Sequence, residues 1–259
     1  MKLKIEVILT PAEFPALAAR DLSQATCVVF DVLRATSSML TALNNGAEEI
    51  IPVVEIAEAL AVKQQRPEVM LAGERHGLRI SKELTGSIDF DFGNSPRDFP
   101  PEKVRGKSIA WTTTNGTRAL RACAHAEMIL IGALVNLRAV AELLAQLRPK
   151  HLVLVCGGTF EDSAFEDQFA AGALIDLLQL RAKAVELTDS ANLVWHAFRH
   201  VFEDDALIAS SLNARRLLAQ PALAPDVALC LQRDSIQLNA SMSEDGAVRP
   251  LRGFGAQLA

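Results

Sequence analysis

Cys27-Val28-Val29-Phe30-Asp31-Val32-Leu33 is an apolar, largely β-branched run interrupted by a single carboxylate. It passes directly into Ala35 to Leu43, whose Met39, Leu40 and Leu43 fall on one helical stripe and whose end is marked by Gly46. A strand without alternation is buried on both faces, and a strand that runs straight into a helix is the building unit of a parallel sheet covered by helices. This stretch therefore sets the expectation of an α/β fold.

The unit recurs along the chain in both directions. Met1 to Glu6 alternates like a strand, and Glu49 to Val54, Val69 to Ala72, Lys107 to Trp111, Met128 to Ala133 and His151 to Cys156 read as further strands. Helical spacing follows at Ile56 to Gln65, Thr117 to Ala124, Leu137 to Leu147 and Phe165 to Leu180. Residues 76–106 carry Gly77, Gly86, Gly93, Pro96, Pro100, Pro101 and Gly106 with little periodicity, and an irregular stretch of that length is more often functional than idle. Beyond residue 181 the pattern predicts helices over Leu193 to Phe202 and Leu207 to Ala219, then late strands at Val227 to Leu231 and Ile236 to Leu238. The resulting expectation is an α/β lobe over 1–180 and a mainly helical, then mixed, lobe over 181–259, with a single domain as the alternative.

The chain has 259 residues, half of them apolar, with 26 Lys+Arg against 31 Asp+Glu and a formal charge of −5. Without basic runs, nucleic acid is not an expected partner. No apolar stretch reaches the roughly 18 residues of a membrane span, and the first residues lack a signal-peptide core, so a cytoplasmic location is expected. Cys27, Cys123, Cys156 and Cys230 are scattered and form no CxxC pair, which predicts reduced thiols. Tyrosine is absent and histidines number five, so any chemistry must rest mainly on carboxylates, hydroxyls, amides and arginine.

In open α/β sheets ligands bind beyond the carboxyl ends of the strands. The first such exit offers Asp31 as a cation ligand or nucleophile, with Arg34 and the hydroxyls of Thr36, Ser37 and Ser38 for an anion; a capped helix with an ion pair is the plainer alternative. Leu33 stands where aspartyl-phosphate phosphatases carry a second Asp, which speaks against a phosphoenzyme at Asp31. The second exit presents Gly73-Glu74-Arg75, and the irregular stretch ends in Asn94-Ser95-Pro96. The third, Thr112-Thr113-Thr114-Asn115-Gly116-Thr117, can converge several donors on one oxyanion, but lacks the spacing and lysine of a nucleotide P-loop. The fourth, Val135-Asn136, is a single amide that could simply cap a helix, and the fifth is Cys156-Gly157-Gly158, followed by Glu166-Asp167 at a helix start. Those acids could ligate Mg²⁺ or merely complement the helix dipole. Asp162 occupies the place of the arginine in a C-x5-R thiol phosphatase, so Cys156 is expected to be a buried apolar residue. His196 and His200 fail the HExxH pattern because Ala197 stands in place of the glutamate.

Taken in order, DVLRATSS (31–38), AGERHG (72–77), DFGNSP (91–96), TTTNGTRAL (112–120), LVN (134–136) and FEDQFAAG (165–172) resemble the motif series of the 2-phosphosulfolactate phosphatase family, with weaker agreement through Ser211 and Asp226 to Pro250. The resemblance implies a magnesium-dependent acid phosphatase of α/β architecture with its site between two closely packed lobes. It would convert 2-phospho-3-sulfolactate to 3-sulfolactate and phosphate. Asp31, Arg34, Glu74 and Asn115 would be catalytic. Arg34, Ser37, Arg75, Asn94, Thr113, Thr114, Asn115, Gly116 and Thr117 would bind substrate, with Arg75 suited to its sulfonate or carboxylate. Asp31, Glu74, Glu166 and Asp167 would supply ligands to Mg²⁺. Cys156-Gly157-Gly158 in place of an Ala-Gly turn, and Glu161-Asp162 before the acidic pair, depart from the pattern. The expected partner is a small phosphomonoester, and a homodimer is left open. The alternatives are a phosphatase for another small anionic ester and a non-catalytic binder of a phosphorylated or sulfonated metabolite.

Overall fold

The computed structural model describes residues 2–180, 185–201 and 205–251. Eleven strands, β1 (Leu3–Ile8), β2 (Thr26–Phe30), β3 (Glu49–Pro52), β4 (Met70–Arg75), β5 (Leu78–Arg79), β6 (Ser108–Thr112), β7 (Met128–Gly132), β8 (His151–Cys156), β9 (Val185–Leu187), β10 (Ala240–Met242) and β11 (Val248–Pro250), form one sheet in the order β5-β4-β6-β3-β11-β10-β7-β2-β8-β1-β9. The fold is the expected mixed α/β type with a mostly parallel sheet. β2 lies between β7 and β8, parallel to both and buried at every position, which is why its sequence does not alternate.

The sheet contains two parallel blocks, β4-β6-β3 and β7-β2-β8-β1-β9. The β10–β11 hairpin joins them by pairing antiparallel with β7 on one side and β3 on the other. Those antiparallel ladders leave the blocks running in opposite senses. The right-handed twist, about 20–25° per strand, turns the β6 exit back toward the β2 exit. The helix Ala35–Asn44 fills the space within the curl: Met39, Leu40 and Leu43 share one apolar core with Cys27, Val29 and Ile131 of one block and Ile50, Ile109 and Trp111 of the other. The opposite face of the larger block packs under the helices Leu137–Leu147, Phe165–Gln179 and Asp189–Val201.

The late region differs from expectation. Val227 to Cys230 belongs to the helix Ala224–Cys230, which Leu231 ends, and Ile236 to Leu238 forms no strand; the two late strands are β10 and β11. Pro225 in the first turn pre-sets a helical φ, and Val227 and Cys230 lie one turn apart on the buried face, a spacing that a short apolar run does not distinguish from a strand. The single helix expected over Leu207 to Ala219 is two, Asp205–Ala209 and Leu212–Leu218, because Ser211 caps the second by accepting the Ala214 N–H at 3.2 Å. The preceding helix begins earlier than expected, at Asp189, and its expected end at Phe202 lies outside the described residues. All four cysteines are buried and free. Among the described residues no helix is long and apolar enough to cross a membrane.

Gly172 permits a close helix crossing. A Cβ there would lie 2.4 Å from the Val194 carbonyl oxygen and 2.6 Å from the Phe198 Cβ. Gly172→Ala should therefore destabilise the fold by roughly 1–3 kcal/mol, lowering Tm by about 2–4 °C per kcal/mol for a chain of this size. Helix propensity alone favours alanine by up to about 1 kcal/mol, so a Tm gain in thermal melts would contradict this close approach.

Candidate active site

Four strand exits and a C-terminal segment meet around a cleft of about 430 Å³, within the range of roughly 300–1,000 Å³ that holds small ligands. Asp31, Leu33 and Arg34 follow β2, Glu74 ends β4 and leads to His76 and Gly77, Thr113, Thr114 and Asn115 follow β6, and Gly158, Thr159 and Phe160 follow β8. Asn94 and the segment from Asn213 to Gln220 complete the wall. Of the residues predicted from sequence, Asp31, Arg34, Glu74, Asn94, Thr113, Thr114 and Asn115 line this one cleft, and Gly116 lies against it.

Asp31 is buried where β2 gives way to the helix Ala35–Asn44. Its Oδ1 accepts the Ala35 N–H at 3.1 Å, and its own N–H donates to the Thr36 hydroxyl at 3.0 Å. Its Oδ2 accepts no hydrogen bond among the described residues and lies 2.8 Å from where a Cβ on Gly116 would stand, so only glycine allows the β6 exit to approach so closely. Burial, with the charges of Glu74 and Glu166 added and the Ala35 N–H and Arg34 opposing, pushes the Asp31 carboxyl up to about 7.

Arg34 is 3% exposed. Its guanidinium donates to Asp226 Oδ2 at 2.6 Å and to the Gly77 carbonyl at 2.7 Å, leaving further N–H groups at the cleft. Asp226, wholly buried, also accepts from the Ser95 hydroxyl at 2.7 Å and from Arg97 Nε at 2.8 Å. The Leu33–Arg34 peptide is cis. Gly77 belongs to the His76-Gly77 turn joining β4 to β5, whose positive φ angles of 56° and 83° suit a two-residue hairpin.

Glu74 braces the threonine-rich turn. Its Oε1 accepts both the N–H and the hydroxyl of Thr114 at 2.9 Å, and its Oε2 accepts the Gly77 N–H at 2.7 Å. Asn115 donates from Nδ2 to the Phe160 carbonyl at 3.0 Å while its buried Oδ1 has no partner; Asn94 Oδ1, also buried, is likewise unpartnered. Two buried amide oxygens without donors therefore border the cleft.

Glu166 and Asp167 lie buried behind the cleft wall. Asp167 accepts the Val32 N–H at 2.7 Å and the Gly158 N–H at 2.9 Å, clamping the β2 exit to the β8 exit. Burial, together with Glu166 and Asp31, raises its carboxyl well above the usual range against those two N–H groups. Glu166 is also raised by burial, opposed by its own N–H and by nearby Ser211 and Asn213, yet among the described residues neither carboxylate oxygen has a hydrogen-bond partner. Burial pushes the Cys156 thiol far up, in keeping with an apolar role. Among the described residues no three His, Cys, Asp or Glu side chains converge tightly enough to hold an ion unaided.

Ser37, Arg75 and Thr117 do not line the cleft. The Ser37 hydroxyl donates to the Val32 carbonyl at 2.8 Å and that of Thr117 to the Thr113 carbonyl at 3.2 Å. Arg75 donates to the carbonyls of Glu74 and Val54 and to the Thr112 hydroxyl. Conversely, Phe160, Asn213, Arg216 and Gln220 line the cleft although nothing in their spacing marks them. The adjacent arginines Arg215 and Arg216 were the one available signal, and it reads equally as a solvated helix face.

A family model described as 2-phosphosulpholactate phosphatase matches residues 9–244. The protein named "Probable 2-phosphosulfolactate phosphatase" in Clostridium acetobutylicum is 34% identical over 237 residues, covering 91% of this chain and 96% of that relative. The protein of the same name in Caldanaerobacter subterraneus subsp. tengcongensis is 36% identical over 239 residues, covering 91% and 94%. The one in a Synechococcus strain is 34% identical over 257 residues, covering 95% and 99%. With a match of that extent, and with the DVLRATSS, AGERHG, DFGNSP and TTTNGTRAL blocks gathered around one cleft, the chain belongs to the 2-phosphosulfolactate phosphatase family.

Proposed function

We propose that the cleft is the active site of a magnesium-dependent phosphatase that hydrolyses 2-phospho-3-sulfolactate to 3-sulfolactate and phosphate. Supporting the phosphatase reading are the names borne by the relatives. The observation that carries the reading is the convergence, in one cleft, of an Asp31 carboxylate oxygen unpartnered among the described residues, a buried guanidinium on Arg34 and the Thr113-Thr114-Asn115 turn at the start of a helix. A non-catalytic anion receptor gains nothing from burying Asp31 beside its ligand with Glu166 and Asp167 behind it.

The donor set suits Mg²⁺. This ion usually takes one or two carboxylates, retained waters and the substrate's own phosphate oxygens rather than an all-protein cage. Asp31 lines the cleft with its Oδ2 unpartnered among the described residues, and Asn94 and Asn115, which also line it, carry buried amide oxygens that are unpartnered there too. Glu74 and Asp167, whose oxygens already accept N–H groups, position the loops instead. When bound, such an ion neutralises phosphoryl charge and lowers the pKa of the attacking water. Arg34 orients the phosphoryl group and offsets its equatorial charge, held at its angle by Asp226, while Glu74, by accepting both Thr114 donors, fixes the turn so that Thr113 borders the same oxygens.

Stripping the protein with EDTA should abolish phosphate release, and added Mg²⁺ should restore it; full turnover without metal would remove the ion from the scheme. Asp31 must ionise to serve as a ligand. At subsaturating Mg²⁺ the rate should therefore rise with pH through about 7, and at saturating Mg²⁺ the midpoint should move to lower pH, as measured in initial-rate pH profiles. Arg34→Ala should lower kcat/KM by about 100-fold or more. Asp226→Asn, which keeps the shape and removes the charge opposite Arg34, should lower kcat by less than Arg34→Ala. The reverse ordering would count against Asp226 as a positioning residue.

A further inference from the structure

The proposed reaction leaves one cation in the cleft without a task. Arg216, on the helix Leu212–Leu218, lines the cleft and has no carboxylate partner among the described residues, whereas Arg34 is neutralised by Asp226. Its neighbour Arg215 turns away to donate to the Ser210 carbonyl at 2.8 Å. The Arg216 guanidinium lies over the Phe160 ring, 4.9 Å from its centroid. Stacking of that kind occupies the flat face and leaves the edge N–H groups free for an anion. Phe160 is 46% exposed and has a positive φ of 56°. Its carbonyl is held by Asn115 Nδ2, so the platform under Arg216 is tied to the same turn that borders the phosphate side of the cleft.

Resting on the phosphatase reading, we infer that Arg216, stacked on Phe160, is the receptor for the anionic group carried by the ester's carbon tail, and so a specificity-determining residue. A phosphomonoester bearing a sulfonate or carboxylate near the ester carbon cannot place all its charges on Arg34. With the phosphoryl group on the Arg34 side, the tail points toward the wall formed by the β8 exit and the C-terminal helix, where Arg216 is the arginine available. Arg75, the residue of the AGERHG block suited by charge to this task, has its guanidinium on backbone carbonyls and outside the cleft.

The test compares kcat/KM for 2-phospho-3-sulfolactate with that for glycerol 2-phosphate, an ester of similar branching whose arms are uncharged. For Arg216→Ala the ratio of the two values should fall at least about tenfold, equivalent to about 1.4 kcal/mol, mostly through KM. Arg216→Lys should recover part of the loss, and Phe160→Ala should reproduce part of it. An unchanged ratio, or an equal fall for both esters, would overturn the assignment. If the wild-type protein hydrolyses neither ester, the phosphatase reading itself fails. Arg216 is then judged by calorimetric binding of 3-sulfolactate, which is expected to weaken about tenfold in Arg216→Ala; equal affinities would overturn the inference there too.

Discussion

Asp226 is wholly buried and accepts hydrogen bonds from Arg34, Ser95 and Arg97, which come from the β2 exit and the irregular stretch before β6. Arg34 reaches on to the Gly77 carbonyl, so the β4–β5 turn joins the same network. The two arginines differ in their need for the carboxylate. Arg97 is 43% exposed at its side chain and keeps much of its hydration, whereas Arg34 is 3% exposed and has nearly none. A buried ion pair is weak grounds for stability, because the desolvation of both charges offsets their attraction. What the pair supplies is placement: a guanidinium fixed by two acceptors presents its remaining donors in one direction only.

The same constraint explains why the C-terminal region is integral to the cleft. Asp226 is carried by the helix Ala224–Cys230, which follows the Leu212–Leu218 helix lining the cleft and precedes, along the chain, the β10–β11 hairpin at the centre of the sheet. The hairpin reverses the sense of the two parallel blocks and, with the sheet twist, lets exits of both face one another. Gly116 then completes the approach, since any side chain there would meet Asp31 and Ala35. Topology, one glycine and one buried carboxylate thus act on the same few ångströms.

The parallel core was legible because burial on both faces writes an unbroken apolar run into β2 and β8, and because helices such as Ile56–Gln65 and Leu137–Leu147 carry the helical period with clear ends. β10 and β11 were not legible. Three residues each, reading Ala240-Ser241-Met242 and Val248-Arg249-Pro250, are too short and too polar to show a period, and pairing with β7 and β3 alone makes them strands. At the site, residue types and chain order revealed which exits carry acids, amides and hydroxyls. They did not reveal which oxygens remain free. Glu74 and Asp167 look like Asp31 in sequence, yet each faces a backbone N–H contributed by a loop distant along the chain, Thr114 for Glu74 and Val32 for Asp167. Arg216 was hidden for a related reason: its neighbour across space, Phe160, lies 56 positions away in the chain, at a distance no local pattern spans.

Charge placement across the cleft follows from these partners. On one side Asp31, Glu166 and Asp167 are buried together, each raised by its burial. Arg34 does little to offset them, since its own charge is matched by Asp226. A phosphate dianion approaching that side alone would meet net repulsion, so the carboxylates must hold either protons or a cation when the ester is in place. On the wall formed by the β8 exit and the Leu212–Leu218 helix, Arg216 has no carboxylate partner among the described residues and lies over the Phe160 ring. The cleft therefore combines buried carboxylates, whose charge must be offset by protons or a cation when phosphate is in place, with an arginine that no acid among the described residues matches. A ligand carrying two separated negative centres, as the proposed ester does, matches this division of charge.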